Sequence, residues 1–430
     1  RLTDVTGVQT CALPIYEAEL TDDEEKKEEV KDVNEEKIVV KEHERKKGRK
    51  PLSPDLPREE VFHDIPEEEK RCGCCGKEKP FLGDEISEEL DVIPAQIKVI
   101  KHIRKKYGIC NCNESRNKKN NKIITASMPE RLLPGGIATP GLLAFLFTSK
   151  FNDAIPYYRL EKIIQRYGAD LSRQTMCNMQ ISASLKCQSL LELMWEDVMQ
   201  SEMIQMDETP LQVVNEFTQN SYMWVTIGYT DNIPTILYHY HPTRSGNVPL
   251  NLLKDYKGYL QTDGYKGYEE SGKLPEVKHV GCWAHARRKF DEALKASKNS
   301  NSANQGLSFI RDIYRYEKIL RMSLDELEID RKEFVLKRKE KVEPILESMY
   351  KWLKKRVLEI IPESLMGKAI NYTLKEWPKL IKYLEQWYLT PDNNRAENAI
   401  RPFVLGRKNW LFSMTPSGAH SSATFFSLIE

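Results

Sequence analysis

Three carboxylates in this 430-residue chain stand where they could work on a phosphodiester. Asp207 follows the apolar run "MIQM", Asp263 follows "YLQT", and Glu397 lies in "PDNNRAENAIRPFVLGRKNWLF". Each aspartate leaves a predicted strand and enters a turn-like segment, so parallel neighbouring strands would release both acids at one end of a sheet. Glu397 sits on a predicted helix whose Ala396, Ala399 and Ile400 give it an apolar side to lay on that sheet. Hydrolysis or exchange of a phosphodiester needs charge stabilised on the attacking and the leaving oxygen, which two divalent ions about 4 Å apart provide. Mg2+ (or Mn2+) is a hard ion that takes carboxylates and keeps water, so three acids are a minimum for such a pair. Spacing alone does not separate the three from Glu208, Glu216, Asp255 or Asp291. A solvated carboxylate, with Glu397 paired to Arg401 one turn along, is the competing reading.

A second constellation is cysteine-based. Cys72 and Cys75 form a C-x2-C pair around Cys74, and Cys110 and Cys112 follow after "DVIPAQIKVIKHIRKKYGI". That connecting stretch alternates as a hairpin strand would. Two pairs so separated suit a structural Zn2+ held by four thiolates, in a small module that binds DNA or protein. The second pair, C-x-C, is tighter than usual, which leaves the fourth ligand and the role of Cys74 open. Free thiols are the alternative. Cys177 and Cys187 read as buried apolar residues.

The elements that would position these groups are legible in outline. Residues 129–200 read as helices. A short helix, the Gly168 break and a helix opening "LSRQT", capped by Asp170 or Ser172, resemble a helix-turn-helix with Arg173 and Gln174 toward a major groove. An ordinary helical connector is the alternative. From 201 the chain turns to strands: "SEMIQMDETPLQVV", "SYMWVTIGYT" and "IPTILYHYHP", then a helical "VPLNLLKDYK", the strand "GYLQTDGY", and "EVKHVGCWAH" passing into the helix "ARRKFDEALKA". This order describes a mixed α/β sheet covered by helices. From about 291 to 388 the chain reads as a helical insertion carrying Trp352, Trp377 and Trp387, expected in its core.

Net charge is +1, so bulk charge does not announce a nucleic-acid partner. The longest apolar stretch, "GLLAFLF", is too short to span a bilayer, and the expected compartment is the cytoplasm. Residues 17–60 form a charged arm. Its "KKGRKP" could enter a minor groove, although a solvated segment is the plainer reading. Residues 1–16, with Cys11, resemble translated sequencing-adapter read-through and are set aside from the fold. The natural start is expected to be missing.

Four words in order, "MDETPLQV", "LQTDGYKGY", "HVGCWAHARRKF" and "DNNRAENAIRPFVLGRKNWLFSMTPSGAHSSATFFSLIE", resemble the DDE transposases of the insertion-sequence-66 family. "GRKPLSPDLPREEVFHDIPEEEK", the cysteines and "LDVIPAQIKVIKHIRKKY" resemble the zinc-binding region that precedes the catalytic domain there, here about residues 61–128. The likeness runs from about residue 48 to the end. It implies a ribonuclease-H-like catalytic domain over 201–430, with Asp207, Asp263 and Glu397 matching the DDE triad. It also implies hydrolytic nicking at transposon ends, followed by attack of the freed 3′-hydroxyl on target DNA. Implied partners are DNA, further copies of the chain on that DNA, and small accessory proteins of the same element. A bacterial, nucleoid-associated location follows when DNA is bound. The amino-terminal coiled coil expected of fuller members is absent or replaced, and the chain stops at Glu430, where such proteins usually continue.

Other residues receive roles from their chemistry. Arg401, Arg407 and Lys408 would neutralise phosphates, and Arg287, Arg288 and Lys289 form a basic turn suited to a DNA backbone. Trp410 would stack on an unpaired base or pack in the core. His285 and Trp283 are expected to pack or orient, with a direct part in catalysis as the alternative. Two other functions compete with the transposase: a non-catalytic DNA-binding remnant that represses transposition, and a stand-alone nuclease of the same fold.

Overall fold

A computed structural model describes residues 96–107, 123–218, 220–230, 233–296 and 301–430. The chain divides into two units, 1–93 and 94–430, and the described residues all fall in the second. The charged arm, the adapter-like segment and Cys72, Cys74, Cys75, Cys110 and Cys112 lie outside them. Of the expected hairpin, β1 (Lys106–Tyr107) pairs antiparallel with β2 (Ile124–Thr125). Arg104 extends the pairing by donating to the Ala126 carbonyl at 2.6 Å.

Helices follow: α1 (Pro140–Phe147), α2 (Tyr157–Arg166), α3 (Arg173–Lys186) and α4 (Gln188–Gln200). Thr139 caps α1 ahead of a proline in its first turn, where the missing N–H costs nothing. Gly168 adopts φ +84° after α2, a conformation that favours glycine. Of the two expected caps for α3, Ser172 is the one that accepts the Thr175 N–H, at 3.2 Å. Arg173 and Gln174 stand exposed at the start of α3.

The sheet is built from β3 (Met203–Val213), β4 (Ser221–Thr230), β5 (Ile233–His241), β6 (Gly258–Gln261) and β7 (Val277–Val280), in the order β5-β4-β3-β6-β7. β3, β4 and β5 run antiparallel in succession, whereas β6 and β7 join β3 in parallel. The short α5 (Asn247–Leu252) connects β5 toward β6. After β7 come α6 (Trp283–Ala296), α7 (Asn301–Asp325), α8 (Arg331–Arg356), α9 (Leu365–Leu380), α10 (Asn394–Trp410), β8 (Phe412–Ser413) and α11 (Pro416–Ile429). β8 adds to the far end of β3 through Gln212 and Val213.

Strand alternation divides the core. Ile204 and Met206 of β3 join Trp224, Leu260 and Val198 under α4 and α5. Leu211 and Val213 point the other way, into a cluster with α10 and α11 that also takes Leu146, Leu160 and Met176 from α1, α2 and α3. The helices before residue 200 and the strands after it therefore share one core. A third cluster packs Tyr259 and Val280 against Trp283, Phe290 and α7–α9. Trp352 and Trp377 pack against that cluster, and Trp387 against a smaller one around Phe334.

Candidate active site

The parallel register of β3 and β6 sets the two aspartates level. Gln205 pairs with Gln261, and each acid lies two residues further on. Asp207 does not leave its strand as expected. It lies within β3, opposite Val225 of β4, because β3 runs on past the end of β6 along its antiparallel neighbour. By alternation Asp207 shares the face of Gln205, toward α10. Asp263 does leave its strand, and its Oδ1 accepts the Tyr265 N–H at 2.9 Å, closing a side-chain turn.

Two buried glutamines tie this arrangement to the third acid. Gln205 Nε2 donates to Gln261 Oε1 at 2.7 Å, and Gln261 Nε2 donates to the Thr390 carbonyl at 2.7 Å. The Tyr229 hydroxyl donates to Gln205 Oε1 at 2.7 Å. The strap that enters α10 is thus bonded to the strands that carry the aspartates. Asn393, fully buried, donates its Nδ2 to the Met206 carbonyl at 2.8 Å and its backbone N–H to Cys282 Sγ at 3.3 Å. Glu397 follows in the first turn of α10. The repeated Q-x-D of "IQMD" and "LQTD" is the sequence signal for these glutamines.

His285 lies between two of the acids. Its Nε2 is 4.0 Å from Asp263 Oδ2 and its Nδ1 is 3.6 Å from Glu397 Oε1. Glu397 takes its ion pair from Arg288 at 3.4 Å, not from Arg401. Arg288 belongs with Arg287 and Lys289 to α6, so the expected basic turn is helical, and Lys289 lies over the Tyr372 ring at 4.9 Å. Burial pushes the Asp207 carboxyl well above its usual range, and Glu208, Asp263 and Glu397 push it further. Burial also lowers His285, against the pull of Glu397 and Asp263. Glu397 Oε1 and His285 Nδ1 are buried without a hydrogen-bond partner.

Glu208, Glu216, Asp255 and Asp291 have other partners. Glu208 is buried and bonded to Arg244 and the Tyr268 hydroxyl, which fixes the turn after Asp263; burial raises its carboxyl. Asp291 pairs with Lys295 at 2.7 Å, and Asp255 lies beside Lys254 at 3.8 Å. Glu216 accepts the Tyr240 hydroxyl at 2.9 Å. The basic tail also divides. Arg401 and Lys408 are exposed, while Arg407 turns inward to Thr209 Oγ1 at 3.1 Å and to the Pro210 carbonyl. Trp410 packs against Phe151 and Phe426 with Lys150 4.9 Å above its ring, so the indole sits in the core reading. A Cβ at Gly406 would fall 2.1 Å from that ring, which is why the helix carries glycine there.

The mixed sheet thus carries Asp207 on its central strand and Asp263 just past the neighbouring parallel one, with Glu397 on the helix packed against them. The transposase IS66 family matches residues 135–421, and the zinc-finger binding domain of transposase IS66 matches residues 69–113. The chain belongs to the IS66 family of transposases, and its amino-terminal part carries that family's zinc-finger domain, which spans all five cysteines of the cluster. Among its relatives, the uncharacterized protein y4qI of Sinorhizobium fredii is 29% identical over 409 residues, covering 89% of this chain and 72% of that one. The uncharacterized proteins y4hP and y4jD of the same organism are 29% and 28% identical over 399 and 396 residues, covering 89% and 88% of this chain and 70% and 74% of their own. No described helix is long and apolar enough to cross a membrane.

Proposed function

We propose that the chain is a DDE transposase that cleaves DNA at transposon ends and joins the freed 3′-hydroxyl to target DNA. The observation that carries this reading is the level placement of Asp207 on β3 and Asp263 two residues past the paired Gln261 of the parallel β6, with Glu397 brought toward them by the glutamine-bound strap. The strand order, three antiparallel strands followed by two parallel ones, supports a ribonuclease-H-like domain, with the helices between about 291 and 388 as its insertion. The donor set fits Mg2+ or Mn2+: three hard carboxylates, one desolvated among like charges and one with an unpartnered buried oxygen. Two such ions would activate the attacking oxygen and stabilise the leaving one. Asp207, Asp263 and Glu397 are the residues that would hold them. Arg288 orients Glu397.

Arg173 and Gln174, exposed at the head of α3, would meet a DNA groove, and Arg287, Lys289, Arg401 and Lys408 its phosphates. Structural Zn2+ would be held by Cys72, Cys75, Cys110 and Cys112. Multimeric assembly on DNA, accessory proteins of the element and a cytoplasmic, nucleoid-associated location belong to the same reading. The test is Mg2+-dependent cleavage and joining on end DNA from the chain's own element. Asp207→Asn, Asp263→Asn and Glu397→Gln should each lower both steps roughly 100-fold or more while leaving DNA binding in place. Cleavage unchanged in the three variants would remove the triad. Binding without cleavage by the unaltered chain would favour a repressor, and cleavage without joining a nuclease.

A further inference from the structure

Beside the acidic cluster stands a different donor set. Cys282 Sγ, a His285 ring nitrogen and a Glu397 carboxylate oxygen lie within 4.8 Å of one another. Two of these residues expose unsatisfied buried atoms to each other: His285 Nδ1 and Glu397 Oε1, 3.6 Å apart. That separation is too long for a hydrogen bond. It is close to the edge of a tetrahedron with metal–ligand arms of about 2.0–2.2 Å, which is roughly 3.3–3.6 Å. The third donor, Cys282, is 1% exposed and accepts the Asn393 N–H, a bond that steadies a metal-bound thiolate as well as a thiol.

Local structure presents the three donors together. Cys282 immediately precedes α6, and His285 lies in that helix's first turn, a C-x2-H spacing. Glu397 comes from the first turn of α10. Asn393, at the start of that helix, is bonded to the cysteine itself, so the two helix starts are held in register. Sulfur, imidazole and one carboxylate are a zinc-type set, three protein ligands with a fourth position open. They are a poor set for Mg2+, which prefers oxygen.

We propose that Cys282, His285 and Glu397 form a binding site for a thiophilic divalent cation of the zinc type. Filling it engages Glu397, which the proposed catalytic ions also need, so zinc acts as an inhibitor of Mg2+-dependent cleavage. The binding stands on its own geometry; the inhibition rests on the transposase reading.

The experiment counts zinc per full-length chain after equilibration with buffered free Zn2+, in the unaltered protein and in Cys282→Ala, His285→Gln and Glu397→Gln. Cys177→Ala serves as a thiol control outside the cluster. The amino-terminal zinc-finger domain contributes equally to all five. Each cluster variant should hold one zinc fewer, or bind it more weakly by more than the roughly 10–100-fold that loss of an outer-shell partner costs. The control should match the unaltered chain. Circular dichroism identifies any variant that has not folded. The three substitutions fall on two helix starts, and the conservative Glu397→Gln keeps the shape of the site. Equal zinc content in the folded variants and the unaltered chain overturns the site. Cleavage is then read as the ratio with and without micromolar Zn2+ in excess Mg2+. Zinc should suppress the unaltered chain and lose its effect in Cys282→Ala. Suppression of equal depth in both overturns the inhibition. A chain that never cleaves defeats the transposase reading, while the zinc count still decides this site.

Discussion

Asp207 carries the largest electrostatic burden of the acidic cluster. It is held on β3 with its carboxyl raised by burial and then by Glu208, Asp263 and Glu397. A raised value means that folding favours the protonated form. The group's contribution to stability is complete below the unfolded carboxyl value of about 3.9 and is lost as pH rises through the raised value. At neutral pH without added divalent cation, Asp207→Asn should stabilise the fold by on the order of 1 kcal/mol. Added Mg2+ should stabilise the unaltered chain more than the variant. Thermal melts with and without Mg2+ measure both; a variant less stable than its parent in the absence of Mg2+ would contradict the like-charge account. The three acids stand out in the sequence because each is embedded in a distinctive word. Their neighbours do not. A helical default pairs Glu397 with Arg401, whereas the folded chain supplies Arg288 from 109 residues away. The same limit hid Cys282, whose significance depends on two helix starts meeting.

At the scale of elements, the strands and most helices follow from alternation and capping, as Ser172 and Gly168 illustrate. Register does not follow, since period-2 patterning fixes the face of a strand and not its offset against a parallel neighbour. Here the Gln205–Gln261 bond joins strands whose alignment levels the acids. Gln205→Leu and Gln261→Leu should each cost about 1–3 kcal/mol, because each leaves buried polar partners stranded. The double variant should cost less than the sum, with a coupling of about 0.5–3 kcal/mol, measured by urea unfolding. Strict additivity would mean that the two amides act independently. Arg407 takes contacts that local patterning does not reveal. Its basic neighbourhood suggested phosphate, yet β3 lacks an N–H at Pro210 and offers that residue's carbonyl to the guanidinium instead.

At the scale of the molecule, the helices of 129–200 are joined to the carboxyl-terminal helix as well as to the sheet. Gln180 donates to Ser421 at 2.6 Å, and the Thr230 and Thr235 hydroxyls of β4 and β5 donate to Asp197 of α4 at 2.7 and 2.6 Å. Sequence patterning alone assigns these helices a region of their own, because it shows an apolar face without showing what covers it. A fragment of residues 129–200 should therefore show no cooperative thermal transition by circular dichroism, whereas the whole chain melts its helices and sheet together. A sharp transition in the fragment would show that it carries a core of its own.

That long-range closure has a consequence during synthesis. Leu160 and Met176 emerge from the ribosome more than 200 residues before the Phe426 that completes their cluster. Contacts so distant in sequence form late, and the apolar faces waiting for them must be shielded in the meantime. Glu397 arrives on α10, just ahead of the helix that closes the core. A nascent chain thus carries Asp207 and Asp263 through the synthesis of more than 130 further residues before Glu397 is made, and on the proposed transposase reading such an unfinished copy would lack one of its three acids.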